Sequence, residues 1–235
     1  MSDLKDYIKR QTLEQQQGIN TGIWLAKWLQ LYGSVFREAA RLYVKNFASM
    51  AFAGALAAGG VILSLGILSG PLITGFYLLA FGVVRPNGPM STAAAFKLGF
   101  RDPLTTILMG IAVLGIMAGG FFLFAGIPLI GILIGYIFVL IAHSFLFLIF
   151  PVLADRQLKL VPGFVQGLRL ACSHWLPFAF FSLVALVLGC SGVVLKIIGI
   201  VLTLPLYCLA ITIFYSRIVE ELPVTIAENL SLRRN

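Results

Sequence analysis

Three long stretches of this chain carry almost no charge, and that distribution constrains the fold more than any other feature. No Asp, Glu, Lys or Arg occurs between Asn46 and Arg85, none between Asp102 and Asp155, and only Lys196 between Arg169 and Arg217. A helix needs about 20 apolar residues to cross roughly 30 Å of hydrocarbon. Uncharged runs of about twice that length predict helical hairpins in a bilayer, where each segment has to satisfy its own backbone N–H and C=O groups. Composition agrees. Of the 235 residues 60% are hydrophobic and mean hydropathy is +0.99, whereas a soluble domain is about half apolar.

Each stretch divides in two. Residues 47–84 suit two short helices with a tight turn between Gly66 and Pro71. Residues 103–154 suit two longer helices turning between Gly119 and Pro128. Lys196 divides residues 170–216 into spans near 176–195 and 197–216. The expected fold is an all-α integral membrane protein with six transmembrane helices arranged as three hairpins. An even number of spans leaves both termini on one side, with residues 1–46, 85–102, 151–175 and 217–235. That side holds every one of the 17 Lys and Arg residues except Lys196, a bias that orients it to the cytoplasm. All nine acidic residues lie there too, so chemistry is expected at the cytoplasmic face or within the membrane.

The expected organisation is a polar N-terminal segment over 1–20, an amphipathic interfacial helix over 21–46, the six-helix transmembrane domain over 47–216, and a cytoplasmic tail over 217–235. Residues 1–20 include Asp3, Asp6 and Glu14 and lack an apolar run, unlike a signal peptide. In the second segment Trp24, Trp28, Leu31, Val35, Ala39 and Leu42 recur at steps of three and four. Lys27, Gln30, Ser34, Glu38, Arg41 and Lys45 recur likewise on another face. This is helical amphipathicity, and beside a membrane it predicts a helix lying in the interface. Packing against other cytoplasmic helices is the competing reading.

Three segments that precede the hairpins align without gaps: residues 41–47, 97–103 and 169–175. Each has a basic residue, then Leu, then a polar residue five positions after the basic one (Asn46, Asp102, His174). A proline follows in each hairpin, at Pro71, Pro128 and Pro205. The pattern predicts a threefold repeat of lead-in helix plus hairpin, the copies related by an axis along the membrane normal. Ser91 is the expected N-cap of the second lead-in helix, and Pro162 sits in the expected first turn of the third.

Several function classes are excluded. The net charge of +8 is accounted for by cytoplasmic loops, and neither zinc-finger spacing nor a basic run accompanies it, so nucleic acid is not an expected partner. Cys172, Cys190 and Cys208 match neither a disulfide framework nor a metal knuckle and read as small packing residues. There is no HExxH, GxSxG, GxGxxG or GxxxxGK[ST], so neither catalysis nor a cofactor or metal is expected. Gly66-x-x-x-Gly70 reads as a close-packing motif. Asn229-Leu230-Ser231 matches a glycosylation acceptor pattern, but in a cytoplasmic tail.

The candidate ligand-binding or transport residues are His143, Ser144, Asp155 and Arg156. His143 and Ser144 fall inside the fourth span, where an ionisable side chain is a functional candidate by default. A neutral histidine also serves to bond another helix, with Ser144, Ser182 or Tyr207 as companions. Asp155-Arg156 follows Pro151 where that span leaves the membrane. The pair either contacts a substrate, caps a helix or holds its loop to a neighbouring lead-in helix.

Gly70-Pro71-Leu72-Ile73-Thr74-Gly75-Phe76-Tyr77 and Phe150-Pro151-Val152-Leu153-Ala154-Asp155-Arg156, followed by the amphipathic 166–173, resemble a group of bacterial six-span membrane proteins. That group is similar to the membrane domain fused to some glycerophosphodiester phosphodiesterases. The likeness covers residues 34–219. The catalytic residues of the phosphodiesterase domain have no counterpart here, so that activity is not carried over. What the resemblance implies is a bacterial inner membrane and a lipid-linked role. The expected function is a non-enzymatic multi-pass inner-membrane protein with membrane lipid as its partner. It binds or handles a lipid or amphiphile, or supports another inner-membrane protein. The alternative is a small-molecule transporter or pore built on three hairpin repeats.

Overall fold

The computed structural model of the chain describes residues 21–85, 91–128, 130–173, 175–191 and 196–221. Among these the elements are α1 (Thr21–Lys45), α2 (Phe47–Leu63), α3 (Ser69–Val84), α4 (Thr92–Gly99), α5 (Pro103–Ala125), α6 (Gly131–Leu146), α7 (Ile149–Arg156), α8 (Leu160–Ser173), α9 (Trp175–Ser191) and α10 (Lys196–Glu221). The expected segment 1–20, the residue His174 and the acceptor pattern at 229–231 lie outside the described residues.

Among the described residues three stretches are long and apolar enough to cross a membrane: Pro103–Ala125, Gly131–Arg156 and Val201–Val219. The number reaches 5 if each of the bent pairs α1–α2 and α8–α9 counts as one span. Six equal spans are not what the helices display. α2, α3 and α9 have 17, 16 and 17 residues, about 24–26 Å at 1.5 Å per residue, short of the ~30 Å hydrocarbon core. The outer faces of α5 and α6 are apolar and uncovered, with Leu104, Ile111, Phe122, Leu133 and Tyr136 all exposed. Only 17% of the α5 window is buried. An apolar face of that extent is foreign to a soluble monomer, and it suits lipid contact.

The packed centre lies where α1, α6, α9 and α10 meet. Phe181 and Phe214 stack with centroids 3.8 Å apart, and Tyr32, Phe36 and Phe147 close around them. Pro205 sits inside α10. Proline has no N–H for the carbonyl four residues back, here that of Val201. That oxygen faces Gly54 of α2, where an added Cβ would lie 2.8 Å from it.

The turns and ends differ from expectation for local reasons. The first turn covers 64–68, and Pro71 belongs to the opening turn of α3, a position that needs no N–H. Gly66 is not a packing residue. It adopts φ +86°, a left-handed conformation that glycine reaches without strain. Gly70 alone packs closely, its backbone against Thr106 and Gly110 of α5. α5 runs through Gly119 and Gly120 to Ala125, and the turn opens at Gly126. Gly120 makes room for the Phe138 ring rather than for a turn. Leu146 ends α6, and α7 begins at Ile149 after a short break. The first residues of the expected tail, from 217, are helical. α10 continues to Glu221, with Arg217 paired to Glu38 and bonded to Ser34 of α1. Of the cysteines, Cys208 is buried as a packing residue, whereas Cys172 and Cys190 are exposed.

The lead-in helices do not lie free. α1 turns by 96° into α2, and α8 by 105° into α9. Val35 and Ala39 are fully buried because the apolar face of α1 packs on protein, chiefly α10. Tyr32 donates to the Pro177 carbonyl at 2.8 Å. The side chain of Trp24 lies outside the described residues. The three aligned segments coincide with the junctions α1–α2, α4–α5 and α8–α9. Their prolines, however, occupy different places: the opening turn of α3, the turn before α6, and the interior of α10.

Candidate functional site

An open pocket of about 290 Å³ lies between α3, the α4–α5 junction and the end of α7. Backbone contact builds it. Gly99, which ends α4, packs so closely on Pro71 and Gly75 that an added Cβ would lie 2.5 Å from the Pro71 oxygen and 2.6 Å from the Gly75 nitrogen. This brings Arg101 and Asp102 to the pocket rim. Asp102 then caps α5, its Oδ1 accepting from the Thr105 N–H at 3.3 Å, as a carboxylate at an N-terminus is suited to do. Opposite, α7 is capped by Gln157 in a left-handed conformation with φ +47°, unusual for a residue with a Cβ. Its side chain accepts from Arg101 Nη1 at 3.0 Å, which ties the two rims together. Lys159 follows on the same loop. Leu78, Leu98, Leu153 and Leu158 supply apolar wall.

Two threonines sit deep in this lining, each 5% exposed. The Thr106 hydroxyl donates to carbonyls of its own helix, those of Asp102 and Pro103. The Thr74 hydroxyl is buried without a hydrogen-bond partner. Buried hydroxyls are normally bonded, and this one, on a residue of the pocket lining, is not.

Asp155 and Arg156 flank the pocket, whose lining includes their neighbours Ala154 and Gln157. They point to different partners. Asp155 Oδ1 pairs with Arg85 at 2.6 Å, and its Oδ2 accepts from the Tyr215 hydroxyl at 2.8 Å. Arg85 also lies over the Phe81 ring, 4.5 Å from its centroid. Asp155 thus joins α3, α7 and α10. Arg156 donates to Gln166 of α8 at 3.0 Å, which is the tie to a lead-in helix read from the sequence.

His143 and Ser144 are elsewhere, in a polar seam between α6, α9 and α10. His143 Nε2 and the Tyr207 hydroxyl are 2.8 Å apart. The Ser144 hydroxyl donates to the Leu140 carbonyl and accepts from Ser182 at 3.0 Å. His143 Nδ1 is buried and unpartnered. Neither residue lines the pocket, so the four candidates form two groups rather than one site. The pocket residues Thr74, Arg101, Gln157 and Lys159 were not singled out by the sequence. The signals at hand were the aligned segment 97–103, which contains Arg101, and the motif 70–77, which contains Thr74.

Comparison of the chain with family models, curated proteins and solved structures finds no match.

Proposed function

We propose that this chain is a multi-pass protein of a bacterial inner membrane, both termini in the cytoplasm, that binds a lipid or other amphiphile without transforming it, alone or in support of another inner-membrane protein. Its apolar helices enter as three hairpins, each behind a lead-in helix. The near right-angle bends at α1–α2 and α8–α9 and the placement of Lys and Arg support that arrangement. The observation that carries the function is the pocket between the middle of α3 and the charged ends of α5 and α7: leucines on its walls, cations at its mouth, and the exposed apolar face of α5 beside it. That combination suits a molecule with a polar head and an apolar body. The short motifs in 70–77 and 150–156 point the same way through their resemblance to lipid-linked membrane domains.

The test is to extract the full chain with its surrounding bilayer and identify retained molecules by mass spectrometry. The expected result is one lipid class held above its share of the membrane. A profile equal to the bulk membrane counts against the proposal. Cysteines introduced at positions 3 and 230 should react only from the cytoplasm and one at 196 only from outside, and outside labelling at 230 would break the six-span arrangement. A second reading, transport of a small molecule, is favoured by the seam of His143, Tyr207, Ser144 and Ser182, which joins two hairpins. A soluble solute retained in place of lipid would support it.

A further inference from the structure

We infer that the pocket between α3, α5 and α7 receives a phosphate-bearing headgroup; this rests on the amphiphile-binding reading above and names its ligand class. Three independent features converge. Thr74, 5% exposed, belongs to the pocket lining, and its buried hydroxyl has no partner within the protein. An oxyanion supplies the missing acceptor. At the mouth stand Arg101 and Lys159. Guanidinium offers five N–H donors in a planar fork that matches phosphate oxygens, and one of them is engaged by Gln157. Lysine adds a point charge. Gln157 holds its left-handed conformation in this place, and backbone held against its preference gathers at ligand clamps.

The charge balance narrows the ligand. Asp102 also lines the pocket, but its Oδ1 is engaged by the Thr105 N–H. One carboxylate against two cations leaves a single positive charge, the complement of a phosphodiester. Size narrows it further. About 290 Å³ is at the small end of ligand sites, which run from ~300 to 1,000 Å³. The pocket holds a headgroup and not acyl chains. Chains have somewhere to go, because Leu104, Leu108 and Ile111 of the same α5 helix are exposed. The site also lies on the side that carries Lys and Arg, where an anionic leaflet concentrates such headgroups.

The experiment measures binding of short-chain phosphatidylglycerol, short-chain diacylglycerol, which lacks the phosphate, and glycerol phosphate to the full chain in detergent, by native mass spectrometry and calorimetry. Phosphatidylglycerol should bind about tenfold more tightly than diacylglycerol. Lys159→Gln and Thr74→Val should each weaken it by about tenfold, the loss expected for a hydrogen bond to a charged group, while Lys97→Gln on the outside of α4 leaves it unchanged. The melting temperature of each variant shows that it is folded. Much weaker glycerol phosphate binding identifies the lipid as the source. Equal binding that depends on the same two residues identifies a soluble phosphate ester and supports the site while removing the lipid. If both lipids bind alike, or if Lys159→Gln and Thr74→Val change nothing, the phosphate site is overturned and amphiphile binding stands. If no lipid binds at all, the amphiphile reading itself fails.

Discussion

Gly70→Ala tests the helix crossing on which the pocket depends. The added methyl would fall inside the envelope of the Thr106 carbonyl, 2.5 Å from its carbon and 3.2 Å from the Gly110 nitrogen. Ordinary contact begins near 3.4 Å, so α3 and α5 have to separate by at least 0.9 Å (3.4 Å less 2.5 Å). Both sides of the contact are helix backbone, and no side chain can rotate away. Overpacking of this kind costs about 1–3 kcal/mol, and the backbone clash puts this case at the upper end. At about 2–4 °C per kcal/mol for a chain of this size, the melting temperature should fall by roughly 6–12 °C. Gly59→Ala and Gly115→Ala are the controls, because nothing lies within 4 Å of a Cβ at either position. Each should be neutral or gain about 0.5–1 kcal/mol from the helix preference of alanine. The assay is thermal unfolding of the full chain in one detergent, followed by size exclusion. Equal melting temperatures for Gly70→Ala and Gly59→Ala would refute the close crossing and the pocket geometry built on it.

Three further outcomes follow from the polar contacts. Asp155→Asn keeps the volume but removes the charge facing Arg85, which is 41% exposed on its side chain and able to turn to water. A loss of about 1–2 kcal/mol is expected, and Tyr215→Phe added to it should cost less than it does alone; full additivity in a melting series would separate the two contacts. Tyr32→Phe removes the buried bond to Pro177, worth about 1 kcal/mol, and should speed hydrogen exchange in residues 26–45. Unchanged exchange there would mean that packing alone holds α1. His143→Leu breaks the contact with Tyr207 but also removes the orphaned Nδ1, so a stability loss of about 1 kcal/mol or less is expected. Normal folding with lost solute uptake in vesicles would favour transport, whereas retained uptake would make the histidine purely structural.

Much of the helical layout is legible because charge is excluded from apolar helices by desolvation, a term large enough to show in single residues. The stretches bounded by Asn46, Arg85, Asp102, Asp155, Arg169 and Arg217 therefore mark helix ends, apart from Arg169, which lies inside α8, and Arg217. Arg217 was read as the start of a tail, but its charge is met by Glu38 across the bundle. α10 continues past it. Turn positions were read less well, since glycine at 66, 119 and 120 has one letter and three uses. The first takes a positive φ and the last admits an aromatic ring, while Gly119 has nothing within 4 Å. Of the three hydroxyls expected near His143, Tyr207 alone is hydrogen-bonded to it, while Ser182 bonds Ser144.

The pocket was not readable, for a different reason. Arg101 and Lys159 belong to the same set of cations from which the expected orientation is read, so in the sequence they are counted as part of that bias. In sequence a cation that faces a phosphate and one that faces water are alike. What separates them is the backbone contact of Gly99 with Gly75, which seats the α4–α5 junction beside Thr74, together with the left-handed turn at Gln157 that brings Lys159 to the same mouth. Both are relations between residues far apart in the chain. Neither alters the local periodicity from which helices are read. The division of Asp155 from Arg156 has the same origin. Adjacent in sequence and opposite in charge, they invite pairing, yet the helix directs successive side chains about 100° apart, and each finds its partner on a different element.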